Sequence, residues 1–334
     1  MRPSVDVIVP CYRYGHFLKE CAESVLSQNG VEIRVLILDD ASPDDTERVG
    51  TQLARHDSRV TFRRHSVNRG HIATYNEGID WVSADYLLLL SADDYILPGA
   101  LARATGVMEK AQHVGFVFGN ALVSLEDGTV VSDHPLGKKP KLEQGGSMNG
   151  AEFIAVNGSR NLVPAPTAVV RSRLQKELGG YRPELPHSGD MELWLRLAAH
   201  ASVGFVDDFQ GVYRRHGANM SRNYSAGFLL PDLREKKAAI DYFLKGCGSV
   251  LRDRAAVERY LLRDLARQAV GRASIAFNEG DLEFTEKIAR FARDLDPGIV
   301  RSWPWAKLAG KRALGSGGWR AVNLLRKGVM RQSR

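Results

Sequence analysis

The sequence has few cysteines and no long apolar run. Its 334 residues include three cysteines, an odd number without the close spacing of a metal site, so neither a disulfide framework nor a cysteine-bound metal is expected. No stretch reaches the ~18 consecutive apolar residues that a membrane-spanning helix needs, and the first residues lack the apolar region of a signal peptide. We therefore expect a cytoplasmic protein.

The common glycine-rich phosphate loops are also missing. No GxGxxG follows the first predicted strand, and GxxxxGK[ST] occurs nowhere in the sequence. Dinucleotide-binding and P-loop proteins hold phosphate with such a loop at a helix N-terminus, so both classes are disfavoured. Carboxylates with a cation remain as the means of binding a phosphorylated ligand.

The basic charge lies in the C-terminal third. The net charge of +7 divides into +10 for residues 231–334 and −3 for residues 1–230. Residues 301–334 carry nine basic and no acidic residues, interleaved with tryptophans and leucines. This pattern is typical of amphipathic helices on an anionic membrane surface, and equally of a basic face packed by its apolar side on the same protein. No recognised nucleic-acid-binding module accompanies the charge, so no nucleic-acid partner is expected.

Short apolar runs alternate with helix-like segments through the first two thirds of the chain. The pattern predicts strands at 5–9, 33–38, 60–62 and 86–90, with helices at 17–26, 72–82 and 101–111. Such alternation indicates an α/β fold with a mostly parallel sheet covered on both faces. A turn at Asp127-Gly128 predicts a hairpin, so the sheet is expected to become mixed.

The last third predicts helices at 229–244, 257–277 and 282–295, of which the last two resemble a tetratricopeptide-type hairpin. We expect three parts: an α/β domain over 1–228, a helical appendage over 229–300 and a basic amphipathic tail over 301–334. Self-association into a homo-oligomer is the role we expect for the appendage.

Two adjacent carboxylates follow the predicted strand at 86–90. Ser91 and Ala92 lead into Asp93 and Asp94, and ligands of open α/β sheets gather beyond the carboxyl ends of such strands. Neighbouring carboxylates repel each other, which favours a divalent cation between them. The alternative is that Asp94 caps the helix that Pro98 opens.

A second acidic pair, Asp39 and Asp40, ends the strand at 33–38. The segment after it, from Ser42 to Asp45, predicts a helix start with Ser42 as the cap. This leaves Asp39 and Asp40 without a structural explanation. Asp190 opens a further predicted helix, where capping alone would explain it, and His216 alone would pass for a surface residue.

Taken together, these segments resemble glycosyltransferase family 2, which has the GT-A fold. The matching segments are, in order, VIVPCYRYGHFLKECAESVLSQ, ILDDASPDDT, LLSADD, GDMELWLRLA and YRRHGANMS. The resemblance covers roughly residues 4–225. It implies a GT-A type, Rossmann-like mixed sheet flanked by helices, here with an α-helical C-terminal extension, and it implies an inverting enzyme that uses a nucleotide sugar.

The resemblance also implies a site for the donor. Asp40, with Asp39 beside it, would accept the N3 hydrogen of uracil or thymine, which favours a UDP- or dTDP-sugar. Pro10 and Tyr12 would line the base pocket. The donor-site segment NRGHIATYNEG supplies Asn68, Gly70 and Asn76, with Tyr75 where arginine is often found.

The metal site implied by the resemblance falls on the segment that contains Asp93 and Asp94. Ser91 replaces the first acid of the commoner Asp-x-Asp-Asp pattern. Asp93 would lie near the ribose or the cation, and Asp94 would be the principal ligand of Mn²⁺ or Mg²⁺, which bridges the diphosphate. His216, with Arg214, would complete the metal or diphosphate site.

Asp190 matches the general base of the family, which takes the proton from an acceptor hydroxyl. The acceptor is expected to be a carbohydrate or a lipid-linked molecule, and the enzyme to serve bacterial surface polysaccharide or glycolipid synthesis, peripherally at the inner face of the plasma membrane. The Gln-x-x-Arg-Trp segment of processive members is absent, which favours single transfers. Two alternatives stay open: a catalytically silent nucleotide-sugar-binding scaffold, prompted by Ser91 and Tyr75, and a nucleotidyltransferase.

Overall fold

The computed structural model describes residues 2–134, 146–219 and 229–332. In these ranges the strands are β1 (Ser4–Cys11), β2 (Glu32–Asp39), β3 (Val60–Arg64), β4 (Tyr86–Leu89), β5 (Tyr95–Ile96), β6 (Val114–Ser124), β7 (Val130–Asp133), β8 (Ser147–Met148), β9 (Val169–Arg171) and β10 (Ser202–Arg214). The helices are α1 (Gly15–Leu26), α2 (Thr46–His56), α3 (His71–Trp81), α4 (Ala100–Lys110), α5 (Gly150–Asn157), α6 (Ser172–Leu178), α7 (Gly189–His200), α8 (Leu229–Cys247), α9 (Arg254–Glu279), α10 (Leu282–Leu295) and α11 (Trp303–Gln332).

The strands form one mixed sheet, as the sequence predicts. Its main order is β3-β2-β1-β4-β9-β6-β10-β5. The pairs β3-β2, β2-β1 and β1-β4 are parallel, whereas β9 runs antiparallel to both β4 and β6. The predicted hairpin is present, since β6 and β7 pair antiparallel around the left-handed Gly128 (φ 81°).

Parallel pairing brings the two acidic segments to one edge of the sheet. The apolar runs of β1 and β2 are buried almost throughout, as expected for strands covered on both faces. The register pairs Cys11 with Asp39 at the carboxyl ends of these two strands. Beyond β4, the Ala92 amide donates to the Pro10 carbonyl at 3.3 Å, so the segment that contains Asp93 and Asp94 lies at the same edge.

Two expected helix caps take other roles. The predicted cap at Ser42 is wrong, because α2 begins at Thr46 and Asp45 is its N-cap residue. The Ser42 hydroxyl instead accepts the Arg13 amide at 3.1 Å, which ties two loops together. Asp94 is not the cap of α4 either, because Gly99 holds that position.

One buried apolar cluster connects the sheet with the C-terminal helices. It includes Phe116 of β6, Trp194 of α7, Phe243 of α8, Leu265 of α9 and Leu308 of α11. Apolar contacts therefore continue across the boundary expected at residue 228. Along the described side chains of α11, Trp305 and Trp319 pack against this cluster, which favours packing on the protein over membrane contact for that part of the tail. Within the described ranges, no helix is long and apolar enough to cross a membrane.

Candidate active site

Asp93 is buried in the turn after β4, and its two carboxylate oxygens have different surroundings. Its Oδ2 accepts hydrogen bonds from His216 Nε2 and Asn219 Nδ2, both at 3.1 Å. Its Oδ1 is buried and has no hydrogen-bond partner. An unpaired buried carboxylate oxygen is costly, and a bound cation would satisfy it.

Asp94 lies beside it and is 1% exposed. Its Oδ1 accepts the backbone amide of Arg214 at 2.9 Å. Burial and then the charge of Asp93 raise the pKa of Asp94 well above its usual range. Two repelling carboxylates and one unsatisfied oxygen fit Mg²⁺ or Mn²⁺.

The donor set is small for a metal held by protein alone. Among the described residues, no group of three or more His, Cys, Asp or Glu side chains is arranged to hold an ion. Mg²⁺ in enzymes of phosphorylated substrates commonly takes one or two carboxylates, and the phosphates and water supply the other ligands. The Asp93-Asp94 pair matches that mode of binding.

Arg214 fixes this turn through contacts within the protein. Its guanidinium donates to the Asp93 carbonyl at 2.7 Å and pairs with Glu20. It also lies over the rings of Tyr95 and Phe17, at 4.5 Å and 4.9 Å from their centroids. The predicted contact of Arg214 with the diphosphate stays a prediction, and the geometry indicates a positioning residue.

The second acidic pair organises the neighbouring loop. Both Asp40 oxygens are engaged: Oδ1 faces His65 Nδ1 at 2.7 Å and accepts the Arg69 amide at 2.7 Å, and Oδ2 accepts the Gly70 amide at 2.9 Å. Asn68 Nδ2 donates to the Asp40 carbonyl at 3.2 Å. The structure thus brings together three predicted donor-site residues, Asp40, Asn68 and Gly70.

Asp39 is fully buried and pairs with Arg64, while its Oδ1 accepts the Ser42 amide at 2.8 Å. This carboxylate therefore has a structural partner of its own. Pro10 and Tyr12 lie next to Asp40, because the Asp40 amide donates to the Cys11 carbonyl at 3.0 Å. Tyr12 is 39% exposed and free to cover a planar ligand.

Ser91 contributes through its backbone. Its carbonyl accepts the Asp94 amide at 3.0 Å and the Cys21 thiol at 3.7 Å. The replacement of the family's first acid by serine therefore leaves the turn closed. Asp93 and Asp94 are the carboxylates at this position of the site.

Asp190 lies in the first turn of α7, and Ser188 is the N-cap residue, so capping does not explain it. The Tyr181 hydroxyl and the Asn161 side chain hydrogen-bond its carboxylate. Burial raises the pKa of Asp190 above its usual range, against the lowering effect of these hydrogen bonds and of His71 and His187. A raised pKa makes this carboxylate a stronger base.

Tyr181 and Asn161 were not among the site residues predicted from the sequence. Tyr181 follows a Gly-Gly turn, the one visible signal, and Gly180 is required there because a Cβ would lie 2.1 Å from Asn76 Oδ1. Asn161 lies in a loop without periodic pattern. Tyr75 packs on Tyr181 with ring centroids 5.2 Å apart, so this departure from the family pattern lies near Asp190.

Residues 6–156 match the family described as Glycosyl transferase family 2. An uncharacterized glycosyltransferase of Methanocaldococcus jannaschii is 24% identical over 64% of this chain and 71% of its own length. A GalNAc(5)-diNAcBac-PP-undecaprenol beta-1,3-glucosyltransferase of Campylobacter jejuni is 32% identical over 37% of this chain and 40% of its own.

Solved structures share the fold. TarS 1-349 of S. aureus in complex with UDP has a TM-score of 0.64 at 18% identity, covering 97% of this chain and 92% of that one. Mannosyltransferase PcManGT from Pyrobaculum calidifontis, in complex with GDP-Man and Mn²⁺, has a TM-score of 0.52 at 18% identity, covering 94% and 85%. The mixed sheet flanked by helices is therefore of the GT-A type. The match of residues 6–156 and this fold make the chain similar to the glycosyltransferases of family 2.

Proposed function

We propose that this enzyme transfers one sugar from a UDP- or dTDP-sugar to an acceptor hydroxyl, with inversion and with a divalent cation. The observation that carries the proposal is the buried Asp93-Asp94 pair with its unpartnered oxygen. Asp190, held by Tyr181 and Asn161, supplies the second centre that the chemistry needs. Burial, and then the charges of Asp190, Asp93 and Asp94, raise the pKa of Tyr75, so all three carboxylates lie near this residue.

Asp93 and Asp94 would hold Mn²⁺ or Mg²⁺. When bound, the cation neutralises the charge of the donor diphosphate and of the leaving nucleotide. His216 Nδ1 accepts the Ala218 amide at 3.3 Å, so its Nε2 carries the proton that faces Asp93. His216 therefore orients Asp93 in this geometry, and its place among the metal ligands stays a prediction.

Asp40, Asn68, Gly70, Pro10 and Tyr12 form the proposed nucleobase end of the site. A carboxylate has about four acceptor positions, so Asp40 can take one more hydrogen, such as N3–H of uracil or thymine. The TarS neighbours in complex with UDP and UDP-GlcNAc support a uridine nucleotide.

Asp190 is the proposed base. Its carboxylate takes the proton of the acceptor hydroxyl while that oxygen attacks the anomeric carbon opposite the diphosphate, so the bond to the sugar forms as the bond to the leaving group breaks. An α-linked donor then gives a β-linked product. The hydrogen bonds from the Tyr181 hydroxyl and the Asn161 amide would hold the Asp190 carboxylate in one orientation.

The acceptor is proposed to be a lipid-linked saccharide of bacterial surface polysaccharide or glycolipid synthesis. The name of the Campylobacter jejuni relative describes such an acceptor for that enzyme. The basic end of the chain would meet an anionic membrane surface. Loss of sedimentation with phosphatidylglycerol vesicles after truncation at residue 319 would support this, and unchanged sedimentation would contradict it.

A thermal-shift panel tests the donor proposal. UDP, dTDP, GDP and CMP are added to the purified protein with and without Mn²⁺, and stabilisation by UDP or dTDP that needs the metal is expected. Asp190→Asn should keep this stabilisation and lose about 10²- to 10⁴-fold in nucleotide release from the donor. Metal-dependent binding without turnover in the wild type would favour the silent scaffold instead.

A further inference from the structure

Side chains of helix α8 form hydrogen bonds with the loop that precedes Asp190, the proposed base. Glu235 Oε2 accepts the backbone amides of His187 and Ser188, at 3.1 and 3.2 Å. The His187 ring contacts Asp232 Oδ1 at 2.8 Å through Nε2, and Lys236 holds the other oxygen of Asp232 at 3.0 Å. Ser188 is the N-cap residue of the helix in which Asp190 lies.

Side chains of helix α9 form similar hydrogen bonds with a second loop, the one that contains Ser159. Asp264 Oδ2 accepts both the amide and the hydroxyl of Ser159, at 3.0 and 2.8 Å. Gln268 donates to the Ser159 hydroxyl at 2.6 Å and to Asp264 at 3.2 Å. This loop carries Asn161, whose side chain hydrogen-bonds Asp190.

We propose that the C-terminal helices position the catalytic base, through Glu235 on one loop and Asp264 on the other. The inference rests on the proposed role of Asp190. Neither carboxylate touches the reacting atoms, so both are positioning residues. The helical region is thereby part of the active site's framework, beyond the self-association expected for it.

Each loop is held by a carboxylate that accepts two of its hydrogen-bond donors. A carboxylate that accepts two N–H or O–H groups of one loop forms charge-assisted hydrogen bonds, which are stronger than neutral ones. Glu235 holds the amides of two consecutive residues, and Asp264 holds the amide and the hydroxyl of one residue. Two contact points fix the orientation of each loop as well as its position. A base displaced by about 1 Å can cost about a hundredfold in rate.

The experiment compares five variants of the full chain with the wild type. Glu235→Ala and Asp264→Ala remove the acceptor oxygens, whereas Glu235→Gln and Asp264→Asn keep one carbonyl oxygen each. Asp241→Ala is the matched control, because Asp241 also lies on α8 but its side chain is 55% exposed and pairs only locally with Lys237. Circular dichroism and the UDP–Mn²⁺ thermal shift confirm that each variant folds and binds.

Turnover is measured as UDP release from UDP-glucose, UDP-galactose and UDP-N-acetylglucosamine, with octyl glycosides as acceptors. The two alanine variants should lose roughly ten- to a hundredfold in kcat with donor KM within about twofold, and the amide variants should recover most of it. Hydrogen exchange should rise at 187–190 in Glu235→Ala and at 159–161 in Asp264→Ala, and stay at the wild-type rate in Asp241→Ala.

The outcomes separate the two proposals. If Asp190→Asn is inactive while both alanine variants keep wild-type kcat and exchange, the positioning role is wrong and the base assignment stands. If Asp190→Asn remains active, the base assignment fails. Unchanged exchange at both loops in the alanine variants overturns the anchoring itself, whatever the turnover.

Discussion

Asn76 and Tyr181 exchange two hydrogen bonds across 105 residues of chain. Asn76 Nδ2 donates to the Tyr181 carbonyl at 3.0 Å, and the Tyr181 amide donates to Asn76 Oδ1 at 2.7 Å. Since the Tyr181 hydroxyl binds Asp190, Asn76 supports the proposed base through Tyr181. The predicted donor contact of Asn76 stays a prediction, but its amide group already has this structural use.

Asn76→Ala should destabilise the fold and slow transfer. Loss of both hydrogen bonds leaves the Tyr181 amide and carbonyl unpaired, which costs about 1–3 kcal/mol of unfolding free energy. Urea unfolding measures the loss, and donor turnover measures the displacement of Tyr181. Asn29→Ala serves as a control, because that exposed amide makes only a local contact at 3.4 Å. A variant with wild-type stability would contradict the pairing.

Tyr181→Phe should move the acid limb of the pH–rate profile to higher pH. The base acts only when ionised, so activity falls as pH drops through the pKa of Asp190. Burial raises this pKa, and the Tyr181 hydrogen bond opposes that rise, so removing the hydroxyl should raise the pKa further. The pH profile of kcat/KM, which reports the pKa of the essential base in the free enzyme, records the shift. A limb that stays in place or moves to lower pH would contradict the contact.

Asp94→Asn should raise the melting temperature of the metal-free protein. The neutral amide can still accept the Arg214 amide, and it removes a buried charge that Asp93 repels. The same variant should lose the Mn²⁺-dependent stabilisation by UDP. Differential scanning fluorimetry measures both effects. A lower melting temperature without metal would argue against repulsion within the pair.

Arg214→Lys should weaken metal-dependent nucleotide binding although the charge is kept. An ammonium cannot reproduce the guanidinium's contacts with the Asp93 carbonyl, Glu20 and two aromatic rings. Titration of Mn²⁺ with UDP present should show a weaker apparent affinity. Arg215→Lys is the control, because the neighbouring Arg215 is exposed. Equal affinities for the two variants would exclude a positioning role for Arg214.

The sheet and most helices could be predicted because their apolar periodicity is local. β1, β2 and β4 are short buried runs, and β2 and β4 have carboxylates at or soon after their ends. Parallel pairing of both strands with β1 brings Asp39, Asp40, Asp93 and Asp94 to one edge. The supports of the base could not be predicted. Tyr181, Asn161, Glu235 and Asp264 reach Asp190 or its loops by contacts between distant segments, and no spacing in a single sequence records such contacts.

The predicted helix start at Ser42 was also wrong because of a contact between distant segments. The segment from Ser42 to Asp45 has the residue types of a cap, but a distant amide, that of Arg13, takes the Ser42 hydroxyl. The local preference of Ser42 for a helix cap was therefore weaker than its contact with Arg13, 29 residues away in the chain.

The hydrogen bonds of Glu235 and Asp264 with the two loops affect where this protein can be truncated or joined to a relative. The family match ends at residue 156, before Asn161, Tyr181 and Asp190. A fragment ending there retains Asp93 and Asp94, the proposed cation ligands, and lacks Asp190, the proposed base. One ending after α7 retains Asp190 without the helices that are proposed to position it. In a chimaera between relatives, the exchangeable unit therefore extends from the Asn161 loop through α9, so that an active hybrid inherits its loops and their anchors from one parent.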